Sequence, residues 1–259
     1  MFILKRRYRQ VIALYLALCL SLAFGSKAYA ADVRIAVAAN FTDTTRNLIV
    51  AFHEATGLEA VASYGSTGKL YAQIDNGAPF DVFLAADTRR PELLEENGQG
   101  VASTRFTYAR GKLALWSPTP DTFEDPKIWL KSGDFARLAI ANPKTAPYGL
   151  AAQEVLTKLD LWEPLQDRLV RGDSIAQTFQ FVATTNAQSG FVALSQVRAW
   201  DSQDGSLWMI PQSYYSPINQ QAILLTRSES NRAAHQWIEF LRSDTAKNII
   251  EEFGYETQN

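Results

Sequence analysis

Two successive series of short apolar runs, each followed by segments of helical period, constrain this chain more than any other feature. Residues 33–38 read as a buried strand, and residues 44–56 as a helix with Leu48, Ile49 and Phe52 facing inward. Gly57 ends that helix, because glycine adopts positive φ without a steric penalty. Residues 58–63 form a second strand, 69–75 a short helix and 82–85 a third strand. This βαβαβ order predicts a parallel sheet with helices on both faces. The second series has strands at 112–116, 138–140 and 191–194, with helices at 150–159 and 175–183. Near the end, 220–226 is strand-like and 232–241 is an amphipathic helix.

No repeat, low-complexity tract or Pro/Gly linker separates the two series, so structured segments must join them. Crossings are expected near 106–110 and 210–217. Two crossings predict two lobes, residues 31–108 plus 217–259 and residues 109–216, with the C-terminal segment returning to the first. The same alternation also fits one continuous doubly wound sheet, and pattern alone does not separate the two.

The first thirty residues stand apart. Lys5, Arg6, Arg7 and Arg9 precede an apolar run, residues 11–24, that is short for a permanent membrane span. Ala28-Tyr29-Ala30 then supplies a small-x-small cleavage pattern. Cys19 has Leu18 before it and further apolar residues after it, so cleavage after Ala30 is expected in preference to lipid attachment. Five of the 25 basic residues and none of the 27 acidic ones lie in this signal peptide, which leaves the remainder at a net charge of −7. An acidic chain is a poor partner for nucleic acid or an anionic membrane. Cys19 is the only cysteine, so the exported part has no disulfide, thiol nucleophile or cysteine metal site.

His53 and His235 are the only histidines, and neither belongs to a metal-spacing motif or accompanies a G-x-S-x-G elbow. Hydrolytic catalysis is therefore not expected. Four segments instead deliver a polar residue to a helix start: 38–42, 64–69, 142–149 and 171–176. Helix starts present unpaired N–H groups and partial positive charge, so several converging on one point make an anion site. Each alone is an ordinary cap. A nucleotide phosphate loop is rejected at 63–70, where Ser63 replaces the first glycine and Leu70 the magnesium-binding hydroxyl.

Taken together, these segments resemble the periplasmic molybdate-binding proteins of ABC importers. The likeness runs through Ser63-Tyr64-Gly65-Ser66-Thr67-Gly68-Lys69-Leu70, Gly77-Ala78-Pro79-Phe80-Asp81-Val82-Phe83, Asn142-Pro143, Pro147-Tyr148-Gly149, Ala176-Gln177-Thr178-Phe179, Ser189-Gly190-Phe191 and Phe253-Gly254-Tyr255. The resemblance implies an α/β, two-lobed periplasmic-binding-protein fold of type II. Each lobe would be a mostly parallel sheet flanked by helices, with the ligand in the cleft between them. It implies a monomeric, periplasmic solute-binding protein, not an enzyme, that uses no cofactor and hands molybdate or tungstate to the membrane permease of the importer.

Residue by residue, the resemblance makes Asn40 and Ser66 ligands from the first lobe, and Tyr148 and Ile175 ligands from the second. The metal is held as an oxyanion, with no direct metal ligand. Asn40 stands where many members have serine, which shifts weight to its backbone N–H. Ala193 stands where many members have a tyrosine, and Tyr148 where those members have a small residue, so one phenol donor replaces another.

Such a site contains donors only. A fully deprotonated tetrahedral dianion offers acceptors only, whereas hydrogen phosphate carries a proton that would be left unpaired. Sulfate matches in charge and differs in size. Lys69 and Lys144 read as solvated surface residues, and Asp173 is the nearest candidate acceptor. Other readings are a binder of sulfate, phosphate or an organic anion, an enzyme on the same architecture, and an effector domain of a regulator.

Overall fold

The computed structural model describes residues 31–200 and 205–257; the expected export segment, with Cys19 and the cleavage site after Ala30, lies outside the described residues. Val33–Ala38 (β1) is buried at every position except Arg34. It pairs in parallel with Ala60–Gly65 (β2) on one side and Val82–Leu84 (β3) on the other. Because side chains alternate along a strand, β1 serves two cores. Val33, Ile35 and Val37 pack with Leu48 and Phe52 of the helix Thr42–Thr56 (α1). The same face meets Trp237 of Arg232–Phe240 and Ile250 of Asp244–Glu252, the last two helices of the chain. Ala36 faces the other way, toward Leu70 and Ile74 of Thr67–Asp75 (α2) and Leu94 of Arg89–Glu96 (α3).

Phe106–Gly111 (β4) completes this first sheet, whose order is β2-β1-β3-β10-β4, with β10 spanning Ile218–Leu224. The expected crossing at 106–110 is thus corrected: those residues belong to a full strand of the first sheet, paired with β10 as far as Gly111 opposite Ile218. A lobe boundary at 108/109 would cut that strand. The chain passes to the second sheet at Lys112, and returns between Met209 and Ile218.

The second sheet repeats the plan. Its strands are Leu113–Ser117 (β5), Leu138–Ala141 (β6), Leu169–Gly172 (β7), Ser189–Ala193 (β8) and Ser206–Met209 (β9), in the order β7-β6-β8-β5-β9. Pro126–Ser132 is α4, Pro147–Lys158 is α5, Ile175–Ala183 is α6 and Leu194–Arg198 is α7. Leu138, Ile140 and Phe191 face Val155 and Leu156 of α5, while Trp116, Ala139 and Val192 face Phe179 and Val182 of α6. Each sheet is mixed: the expected parallel units fill one half, and strands beside the crossings run antiparallel in the other.

Two helices begin earlier than their apolar period suggests, and both shifts matter for the site. Pro147 takes the first helical position of α5, where its fixed φ and missing N–H cost nothing, so Tyr148 enters the first turn. α2 starts at Thr67, which makes Ser66 its N-cap. Gly149 lets α5 approach the end of β6: a Cβ there would collide with the Ala141 carbonyl and lie 2.8 Å from the carbonyl carbon of Asn142. Gly149→Ala should therefore destabilise the fold by about 1–3 kcal/mol through overpacking. A lowered urea midpoint at unchanged slope would show this, and a parental midpoint would contradict it.

Candidate functional site

Parallel pairing sets the ends of β1, β2 and β3 side by side, and likewise β6 and β7. The turns and helices that follow them therefore start along one edge of each sheet. Asn40 lies in the 3-10 turn Ala39–Phe41 after β1, and Ser66 follows β2. Tyr148 follows β6, and Ile175 is the first residue of α6 after β7. All four are buried. Ala38, Ala39 and Ala86 of the first lobe share one apolar cluster with Tyr148, Ile175 and Ala193 of the second, so the two edges meet.

The lobes are closed on each other at the mouth of the cleft. Gly68 N–H donates to the Thr145 carbonyl at 2.9 Å, and Arg90 Nη2 to the Lys144 carbonyl at 3.3 Å. Lys69 Nζ lies 2.8 Å from Asp173 Oδ2. The lysine read as solvated is thus half-exposed but paired, and the candidate acceptor carboxylate is directed to that lysine.

Three side-chain hydroxyls in this region, those of Ser66, Thr145 and Tyr148, lack a well-formed hydrogen bond. Ser174, Asn231 and Ser243 each accept from backbone N–H groups of the helices they precede, as N-caps do. Ser66 occupies the same position on α2 and makes no such bond; its Oγ is buried and unpartnered. Tyr148 is 1% exposed, and its hydroxyl, which neighbours that of Tyr255, makes no well-formed hydrogen bond. That hydroxyl reaches the crossing between sheets, where a Cβ on Gly111 would collide with it. Leaving a buried polar group unpaired typically costs about 1–3 kcal/mol, so the hydroxyls of Ser66 and Tyr148, on facing lobes, are candidate contacts for a bound group.

Asn40 is different. Its side-chain amide nitrogen has two hydrogens and two protein acceptors, Gln220 Oε1 at 2.8 Å and Tyr255 Oη at 3.0 Å. The side chain is therefore spent inside the protein. Its carbonyl accepts from Tyr255 Oη at 2.7 Å and Ser195 Oγ at 3.0 Å, while Thr42 Oγ1 donates to the Ala39 carbonyl at 2.9 Å. Ile175 is fixed in a similar way: Gln196 Nε2 donates to its carbonyl at 3.1 Å. Ser174 Oγ takes the Gln177 N–H of α6, and the N–H groups of Ile175 and Ala176 have no acceptor within the helix.

Tyr255, Gln220, Ser195, Gln196 and Gly111 were not expected at this site. Gln220 carried a usable signal, since it occupies an inward position of a strand between Ile218 and Ala222. The others come from distant parts of the chain and carry no local signature. The two histidines, which the sequence gives no role in a site, bond locally: His53 Nδ1 is near the Leu58 carbonyl and His235 Nε2 near that of Glu229. Among the described residues, no group of three or more His, Cys, Asp or Glu side chains is placed to hold a metal ion.

Burial raises the pKa of Tyr148 and Tyr108 well above the ordinary value, and raises that of Tyr255 against hydrogen bonds shared with Ser195, Asn40, Gln220 and Tyr148. All three therefore stay protonated donors at neutral pH. The unfolded chain ionises these phenols near pH 10 while the folded chain does not, so the unfolded state binds fewer protons there. The contribution of these phenols to stability should be constant below about pH 9 and fall as pH rises from about 10. Urea midpoints measured from pH 8 to 11, roughly spanning that range, would show the decline, and a smaller one in Tyr255→Phe. A midpoint that does not fall above pH 10 would contradict the burial of protonated phenols.

Comparison with known proteins fits this architecture. Residues 33–256 match the family model described as bacterial extracellular solute-binding protein. The molybdate-binding protein ModA of Azotobacter vinelandii is 50% identical over 232 residues, which is 89% of this chain and 92% of the relative. That of Rhodobacter capsulatus is 45% identical over 242 residues, 93% and 95% of the two chains. The solved structure of the Azotobacter vinelandii periplasmic molybdate-binding protein superimposes with a TM-score of 0.84 at 39% identity, covering 88% of this chain and all of that one. The chain belongs to the bacterial extracellular solute-binding protein family.

Proposed function

We propose that this protein captures molybdate or tungstate in the periplasm, after removal of its first thirty residues, and delivers it as a monomer to the membrane permease of an ABC importer. The anion is held between Asn40 and Ser66 on one lobe and Tyr148 and Ile175 on the other. The observation that carries this reading is the pair of buried, unpartnered hydroxyls of Ser66 and Tyr148, on opposite lobes of a closed cleft. A tetrahedral oxyanion supplies the acceptors both lack. Asn40 contributes its backbone N–H, because its amide is already committed to Gln220 and Tyr255. Ile175 contributes the N–H of a helix start, where the dipole favours negative charge.

The donor set is neutral. Lys69 and Asp173 are paired with each other, so no full charge is committed to the anion. Selectivity then follows from protonation state and size. A dianion without a proton satisfies every donor, hydrogen phosphate brings a proton with no acceptor, and sulfate, equal in charge, is discriminated by size alone. The high identity to two molybdate-binding proteins supports the same choice of ligand.

Calorimetric titration tests the assignment. Ser66→Ala and Tyr148→Phe each remove one donor to a charged partner, worth about 1.5–3 kcal/mol, so molybdate affinity should fall roughly ten- to hundredfold in each. Parental affinity in both folded variants would remove these residues from the site. Micromolar molybdate or tungstate should also raise the melting temperature, because a ligand of the folded state adds RT ln(1 + [L]/Kd), while sulfate and phosphate should not. Equal shifts with all four anions would rule out the selectivity argument.

A further inference from the structure

We infer that Tyr255 and Ser195 are positioning residues for anion capture: their hydroxyls meet on the Asn40 carbonyl and hold the two lobes in the binding arrangement without touching the ligand. The inference rests on the reading of the cleft as an oxyanion site.

Three oxygens from three parts of the chain form a closed triangle. Tyr255 Oη lies 2.7 Å from the Asn40 carbonyl, Ser195 Oγ lies 3.0 Å from the same carbonyl, and the two hydroxyls are 2.8 Å apart. All three residues are buried. Asn40 belongs to the first lobe and Ser195 to the first turn of α7 in the second. Tyr255 is tied to the first lobe. Its ring packs edge-on against Phe41 at 5.1 Å, and the next residue bridges to β4 through Arg110 N–H to the Glu256 carbonyl at 2.7 Å and the reverse bond at 3.1 Å.

This arrangement divides the work between the hydroxyls. Tyr255 holds the Asn40 segment whatever the second lobe does, so it shapes the site before the anion arrives. Ser195 joins when the lobes close, so its bond favours the closed state alone. α7 also reaches the opposite side of the site, since Gln196, next to Ser195, donates to the Ile175 carbonyl at 3.1 Å. One short helix thus links the two segments whose N–H groups face the anion. A lost neutral hydrogen bond of this kind corresponds to about a tenfold change in an equilibrium constant.

Stopped-flow tryptophan fluorescence with molybdate on the mature protein, Ser195→Ala, Ser195→Thr and Tyr255→Phe tests the division. Ser195→Ala should raise the dissociation rate about tenfold, leave the association rate within about twofold, and leave the ligand-free melting temperature unchanged. Ser195→Thr keeps the hydroxyl and should restore slow dissociation. Tyr255→Phe should speed dissociation and also lower the ligand-free melting temperature. A protein that binds molybdate, with Ser195→Ala and Tyr255→Phe dissociating at the parental rate, overturns the positioning role alone. A parent that binds neither molybdate nor tungstate overturns the functional reading and this inference with it.

Discussion

Parallel pairing of β1 with β2 and β3, and of β6 with β7, places the start of every site segment. In a βα unit the helix begins where the strand ends, and its first N–H groups have no acceptor within the helix. Two or three such ends brought level by strand register give a row of unpaid-for donors along one edge of a sheet. When two sheets face each other edge to edge, the rows oppose, and the helix starts bring partial positive charge to the cleft between them. The close approach of α5 to β6 at Gly149 and the seat of Tyr148 against Gly111 serve the same alignment.

A neutral, fixed donor set suits a ligand that is charged and carries no proton. A lysine or arginine in the cleft would strengthen binding to any anion and would also reward hydrogen phosphate and sulfate. Here the nearby charges are directed elsewhere: Lys69 to Asp173 across the mouth, Arg90 to Asp87 and the Lys144 carbonyl. On the proposed assignment, specificity rests on geometry and on a donor set without an acceptor. The phenols cannot blur this by ionising, because burial keeps Tyr148 and Tyr255 protonated through the neutral range.

Much of this was legible in the sequence because it is local. A strand of buried alternation, a glycine at positive φ after α1 and a serine before α2 each leave a signature within a few residues. α6 was expected at 175–183 and spans Ile175–Ala183. Three things were not legible for the opposite reason. β4 was read as a crossing, because its pairing partner lies more than a hundred residues later, in β10. The mixed character of both sheets depends on where returning strands insert, which no local pattern records. The network behind Asn40 joins residues 40, 195, 220 and 255, and a tyrosine near the C-terminus carries no sign of which carbonyl it will meet. Asn40 shows both sides: the sequence shifts weight to its backbone N–H, but nothing local shows that Gln220 and Tyr255 take up its amide.

The central claim is that a tetrahedral oxyanion supplies acceptors to the hydroxyls of Ser66 and Tyr148 on facing lobes. Anomalous diffraction at the molybdenum edge, from crystals grown with molybdate, addresses it directly. The account predicts a single strong peak in the cleft, with Ser66 Oγ and Tyr148 Oη both within hydrogen-bond distance of oxygens on that metal. A peak elsewhere, or a cleft in which both hydroxyls remain unpartnered beside bound molybdate, would contradict it.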